Sequence, residues 1–329
     1  MSKVNLLFVL TAVAAMLLGL HLALIRLGYV LPGMGLAPYH GPVMVVGFLG
    51  SLIALERAVA LRRGWVYAAP PLLLLGGLMA MFNPTAMLLG AVGALVVVGV
   101  FAHLTLKYGH RPQWVVMGLG ALMLAAGNLL YALKYPITYV QSYWILFLVF
   151  TIAGERLELS ILLIPRRGVV STFYVPVLMA TLGAVVGSGP ILGISYILFA
   201  LWLSYYDVAG RNVRGSGLVR FVALNLLLGY VWLFLGGVGW LLGWGYDFRI
   251  HSITLGFVFG MIFAHAPIIF PAILGFQFKF RPYLYASTFL LHLSLVVRFL
   301  LDKKVGGLLG VIAVLLYFVS MRTLINFRR

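Results

Sequence analysis

The chain has 329 residues, of which 64% are hydrophobic and 9% charged. Few soluble domains of this length carry so little charge. Its formal charge of +17 does not indicate a nucleic-acid binder, because the Lys and Arg residues fall in small groups between apolar runs rather than on one face. Cysteine is absent, so disulfides and thiolate ligands are excluded.

Apolar stretches of about 20 residues are the length that crosses a bilayer. Twelve are expected, at 5–25, 40–61, 65–82, 85–106, 114–133, 142–164, 170–188, 191–209, 218–242, 250–274, 283–301 and 305–326. The first is long enough to span and lacks a small-residue cleavage site, so it is read as a helix rather than a removed leader. Pro32, Gly33, Gly35 and Pro38 break the first loop. Asn83-Pro84, Ser188-Gly189-Pro190 and Gly243-Trp244-Gly245 punctuate later ones.

With the N-terminus inside, 15 Lys and Arg residues fall on the cytoplasmic side, Arg328 and Arg329 among them, and five on the other. Arg57, Arg156 and Arg298 lie within spans. That bias places both termini in the cytoplasm and the protein in the inner (plasma) membrane as a multi-pass, all-α chain. Lipid is its first partner, and the short loops leave no room for a soluble catalytic domain.

Every fourth span looks related. Gly47-Phe48 precedes Glu56-Arg57, Phe147 precedes Glu155-Arg156, and Gly256-Phe257 precedes His265. In each the ionisable residue follows the Phe by eight positions. Gly19-Leu20-His21 in the first span rhymes with Gly127-Asn128 in the fifth. A single transmembrane domain, 1–329, is therefore expected to contain three parallel four-helix pseudo-repeats, 1–111, 112–215 and 216–329.

Ionisable side chains at membrane depth cost about 2.5–3.5 kcal/mol each, so those present mark function. His21, His40 and His251 lie near the outer ends of their helices, with Asp247 and Arg298 near the same level. His265, His292 and Glu155 lie deeper, at nearly one depth. His40 and His251 read either as imidazole ligands to haem or copper, or as interfacial side chains meeting water and headgroups. His21 is a weaker ligand candidate. His265 and His292 read either as a second ligand pair or as interhelical hydrogen bonds. Pro267 frees backbone carbonyls near His265 to act as its partners. Glu155 with Glu158 gives two carboxylates on one helix face, suited to proton transfer or a metal. Adjacent residues on a helix do not face each other, so Glu56, Arg57, Glu155 and Arg156 are each expected to pair across helices. His103 and His110 belong to the cytoplasmic edge.

Twelve helices in three units, with histidines at the outer ends of the second and tenth, resemble subunit I of the haem-copper oxidases. By that resemblance His40 and His251 would be the axial ligands of a low-spin haem. The oxidase copper ligands have no counterpart: the sixth helix carries Glu155 and Glu158, and the seventh has no histidine. The segments Tyr39-His40-Gly41-Pro42-Val43-Met44-Val45-Val46-Gly47-Phe48, His251-Ser252-Ile253-Thr254-Leu255-Gly256 and Leu291-His292-Leu293-Ser294 with Arg298 are more closely similar to the NnrS family, haem- and copper-containing membrane proteins of nitric oxide stress. That likeness implies a b-type haem held by His40 and His251, with His21 nearby and Arg298 on a propionate. It implies His265 and His292 as further metal ligands, with Glu155 as carboxylate partner or proton relay. It also implies copper as a second metal, nitric oxide as a gas ligand, and a membrane or periplasmic redox partner for an oxidoreductase. The other reading of the same buried His and Glu residues is a proton-coupled secondary transporter or channel.

Overall fold

The computed structural model describes residues 3–163 and 166–326. Arg328, Arg329 and the last residue of the expected sixth span lie outside them. The fold is all-α apart from one two-residue ladder. The membrane-scale helices are α1 (Lys3–Arg26), α2 (Met34–Leu61), α3 (Gly64–Met79), α4 (Pro84–Tyr108), α5 (Pro112–Ala132), α6 (Ile137–Leu163), α7 (Val169–Val185), α8 (Gly189–Tyr206), α9 (Gly217–Leu241), α10 (Tyr246–Leu274), α11 (Leu284–Leu300) and α12 (Lys303–Thr323). Among the described residues eight are long and apolar enough to cross a membrane; α3, α7 and α11 are shorter and apolar. The chain is thus a multi-pass membrane protein whose exposed leucines, valines and phenylalanines are suited to lipid contact.

The helix ends follow local chemistry. Pro84 and Pro112 sit in first turns, where their missing N–H costs nothing. Asn83 accepts from Thr85 N–H at 3.0 Å, and Asp302 caps α12 by accepting from Val305 N–H at 2.7 Å. The tenth helix begins at Tyr246, four residues before the expected start, and the eighth ends at Tyr206 rather than 209. Asp207 stops it, because its carboxylate accepts from Ala209 N–H at 2.7 Å and starts the short helix Ala209–Asn212.

Two compact units divide the chain, Met1–Thr151 and Ile152–Arg329, with the boundary inside α6. In the first, α2 is not uniformly α-helical. A 3-10 turn and three α-helical residues lead into a π-helix, Val43–Gly50, before α geometry resumes at Ser51. In the second, α10 does the same: Tyr246–His251 is α, Ser252–Phe259 is π, and Gly260–Leu274 is α. Gly-Phe occupies the fifth and sixth π positions in both, and Glu56 and His265 each follow the π end by six residues. The corresponding α6 stays α-helical throughout.

A π-turn holds more residues than an α-turn, so it is wider and its neighbours must recede. Glycines provide that space. A Cβ on Gly77 of α3 would meet Gly47 Cα at 2.7 Å and Pro42 O at 3.0 Å. On α9, a Cβ on Gly236 would meet Ile253 Cγ1 at 2.7 Å and Ser252 Cβ at 3.3 Å. Hydroxyls absorb carbonyls around the changes of pitch: Ser51 donates to Gly47 O at 2.6 Å, Ser252 to Phe248 O at 2.7 Å, and Thr254 to Ile250 O at 2.9 Å. The two-residue strand Gln277–Phe278 after α10 pairs antiparallel with Ile325–Asn326 after α12, an element the apolar pattern did not announce.

The Gly77–Gly47 approach is asymmetric, which makes it testable. Gly77→Ala is expected to lose about 1–3 kcal/mol, because backbone on the other side cannot yield. Gly47→Ala is expected to be mild, since its Cβ would meet Gly77 Cα at an ordinary 3.8 Å. Thermal unfolding of the two variants in detergent reads the difference.

Candidate functional site

In the first unit His40 stands three residues before the π-helix of α2. Its Nδ1 is 2.8 Å from the carbonyl oxygen of Gly19 on α1. A carbonyl only accepts, so this bond requires the proton on Nδ1 and leaves the ring's lone pair on Nε2. His21 Nε2 bonds Pro32 O at 2.9 Å, so its lone pair is on Nδ1. Arg57 reaches the carboxylate of its own neighbour Glu56 at 3.8 Å, and its guanidinium lies 6.0 Å from the Phe101 ring. The two neighbours come within ion-pair reach because two long side chains can bend toward each other even when their Cβ atoms diverge.

In the second unit His251 immediately precedes the other π-helix. Its Nδ1 is 3.0 Å from Asp247 O and 3.3 Å from Asp247 Oδ1, so the proton is again on Nδ1 and the lone pair on Nε2. Asp247 is the hub of this end. Arg298 of α11 forks onto it, Nε to Oδ2 and Nη2 to Oδ1, both at 2.8 Å, and Lys303 Nζ lies 3.5 Å from Oδ1. The backbone of Arg298 packs so tightly on Gly306 of α12 that a Cβ there would overlap it. The guanidinium expected to meet a propionate is thus engaged by a carboxylate of the protein itself.

Deeper in this unit His265 Nδ1 bonds Met261 O at 2.8 Å, which leaves its lone pair on Nε2. Glu155, Arg156 and Asp207 are the charges within electrostatic reach of that ring. Pro267 has no N–H for Phe263 O, but that carbonyl does not serve His265: Tyr317 donates its hydroxyl to it at 2.7 Å. Arg156 forks onto Asp207, Nε to Oδ2 at 2.5 Å and Nη2 to Oδ1 at 2.8 Å, with side-chain exposures of 4% and 1%. Tyr230, 1% exposed, lies beside the pair. Arg156 thus pairs across helices as expected. Its partner Asp207 and the neighbouring Tyr230 escaped the sequence reading. With six acidic residues in the whole chain, each acid beside an apolar run was itself a signal.

His292 departs from the expected metal role. Trp232 donates its indole N–H to His292 Nδ1 at 2.9 Å. The ring's proton is therefore on Nε2, and a neutral imidazole in that tautomer has no lone pair to give a metal there. Among the described residues no three His, Asp or Glu side chains gather into a metal-holding group. His265 and His292 accordingly do not form a ready ligand pair.

The sequence matches a family model described as Domain of unknown function (DUF8744) over residues 5–326, and the chain belongs to that family. Comparison with curated proteins and with solved structures returns no match.

Breaking the Arg156–Asp207 fork leaves a buried charge uncompensated. Asp207→Asn is expected to cost about 3–5 kcal/mol, whereas Arg156→Met combined with Asp207→Leu should recover most of it. Unfolding in graded sodium dodecyl sulfate compares them; equal losses in the single and double variants would contradict the pairing.

Proposed function

We propose that this member of the family is a haem-binding membrane protein of redox or nitric oxide handling, similar to NnrS, with His40 and His251 as the axial-ligand candidates. One observation carries the reading. In each unit a histidine at the mouth of a π-helix gives its Nδ1 proton to a main-chain carbonyl, Gly19 O or Asp247 O, and so keeps Nε2 as the basic nitrogen. Imidazoles oriented in this way by a carbonyl or carboxylate are typical of metal-ligating histidines. Each of the two rings thus presents one basic nitrogen, and among the described residues no three His, Asp or Glu side chains gather into a metal-holding group.

A b-type haem, when bound, would supply one-electron and gas-binding chemistry. The chain's own residues do the rest. Gly19 O fixes the His40 ring. Asp247 fixes the His251 ring and offers it a counter-charge, while Arg298 holds the Asp247 carboxylate in place. His265 keeps an Nε2 lone pair within the field of Glu155 and is our candidate for copper. The surrounding architecture we propose is twelve spans in three pseudo-repeats, with both termini cytoplasmic, in the inner membrane; Arg298 serves Asp247 rather than a propionate.

A second reading has its own support. Arg156, Asp207, Tyr230, Glu155 and His265 place ionisable groups together in one unit, as a proton-coupled transporter would use them.

The absorption spectrum of purified protein, expressed with haem available, tests the first. A Soret band with sharp α and β bands on reduction is expected, lost or shifted to a high-spin form in His40→Ala and in His251→Ala. A colourless protein would overturn it and favour the second reading, for which Glu155→Gln should abolish proton-coupled flux.

A further inference from the structure

The Trp232–His292 pair has a use that neither haem ligation nor proton transfer explains. His292 is the ninth of 17 residues in α11, about 12 Å from either end of the helix at 1.5 Å per residue. The indole of Trp232, on α9, locks its tautomer, so Nε2 bears a proton. That nitrogen is buried and has no hydrogen-bond partner in the protein. An unsatisfied donor of this kind is destabilising, and in hydrocarbon no water relieves it.

The surroundings define what would satisfy it. Both rings are half-buried, and their helices present lipid-facing neighbours: Phe289, Leu293 and Val296 on α11, Val231 and Phe234 on α9. Phe299 lies 6.0 Å from Trp232, ring to ring, and adds a second aromatic surface to the indole. The pair therefore borders the membrane phase, with one N–H and flat aromatic surfaces. The Asp247 hub of this unit engages Arg298, His251 and Lys303. A neutral, flat, hydrophobic molecule with a carbonyl acceptor matches this chemistry. Phospholipid ester carbonyls share the acceptor but reside at the interface, roughly 15 Å from the bilayer centre.

We propose that His292 and Trp232 form a binding site for the head group of an isoprenoid quinone, which enters from the bilayer, displaces the side chains that cover Nε2 and accepts its proton in a hydrogen bond through one carbonyl. Trp232 acts as the positioning residue by holding the tautomer. The inference goes beyond haem binding and does not depend on it.

Protein reconstituted in quinone-free phosphatidylcholine nanodiscs, with and without haem supplementation, would be titrated with decylubiquinone, and bound quinone measured after separation. Saturable binding is expected in both preparations. His292→Leu should weaken it about tenfold or more, the loss of one buried hydrogen bond, and Trp232→Phe by a smaller factor. The infrared stretch of a ¹³C-labelled quinone carbonyl should shift to lower frequency on binding to wild type. Because the spectroscopic shift and the Trp232→Phe titration are read on chains that retain His292, a His292→Leu variant that fails to fold leaves the proposal testable. No saturable binding, equal affinity in His292→Leu, or an unshifted carbonyl would overturn it. So would retention of one phospholipid per protein, in place of quinone, that is lost in Trp232→Phe.

Discussion

A polar group inside a bilayer has no water to fall back on, so every donor and acceptor must be settled within the protein. The helices of this chain settle most of theirs by regular backbone bonds. At the few places where the pitch changes or a proline intervenes, the same demand recruits side chains. Ser51, Ser252 and Thr254 take carbonyls around the π-helices, and Tyr317 takes the one that Pro267 releases. Histidines answer to the same rule. His40, His251 and His265 each spend Nδ1–H on a carbonyl, which makes Nε2 the nitrogen that carries chemistry.

The two π-helices deserve to be seen with their glycines. Each widened segment lies against a neighbour that has surrendered a side chain, Gly77 in one unit and Gly236 in the other. Packing in lipid gains little from hydrophobicity, since lipid is equally apolar; it gains from close contact. A small residue is thus what allows an irregular helix to pack as well as a regular one.

What the sequence could reveal divides along the same line. Spans were legible because apolar runs of membrane length are a one-dimensional signal, and Pro84, Pro112 and Gly243 mark their ends locally. The Gly-Phe rhyme was legible too, and it falls at matching π positions in α2 and α10. The π geometry itself was not, because Gly77 lies 30 residues from Gly47 and nothing near Gly47 announces it. The Arg156–Asp207 and Arg298–Asp247 forks each join residues 51 apart in the chain. Depth alone grouped His265 with His292 as ligands. Only the hydrogen bond from Trp232, 60 residues away, separates an imidazole that can coordinate from one that can only donate.

Asp247 serves two cations and one imidazole from three helices: Arg298 on α11, Lys303 at the start of α12 and His251 on α10. One carboxylate has a fixed charge to share among them. Any event that makes the His251 imidazole more positive draws that charge toward it and away from the other two, while an event that withdraws positive character returns it. The three helix ends therefore behave as an electrical balance with a single pivot, in which a change in charge at one imidazole is felt as a change in tension on two neighbouring helices.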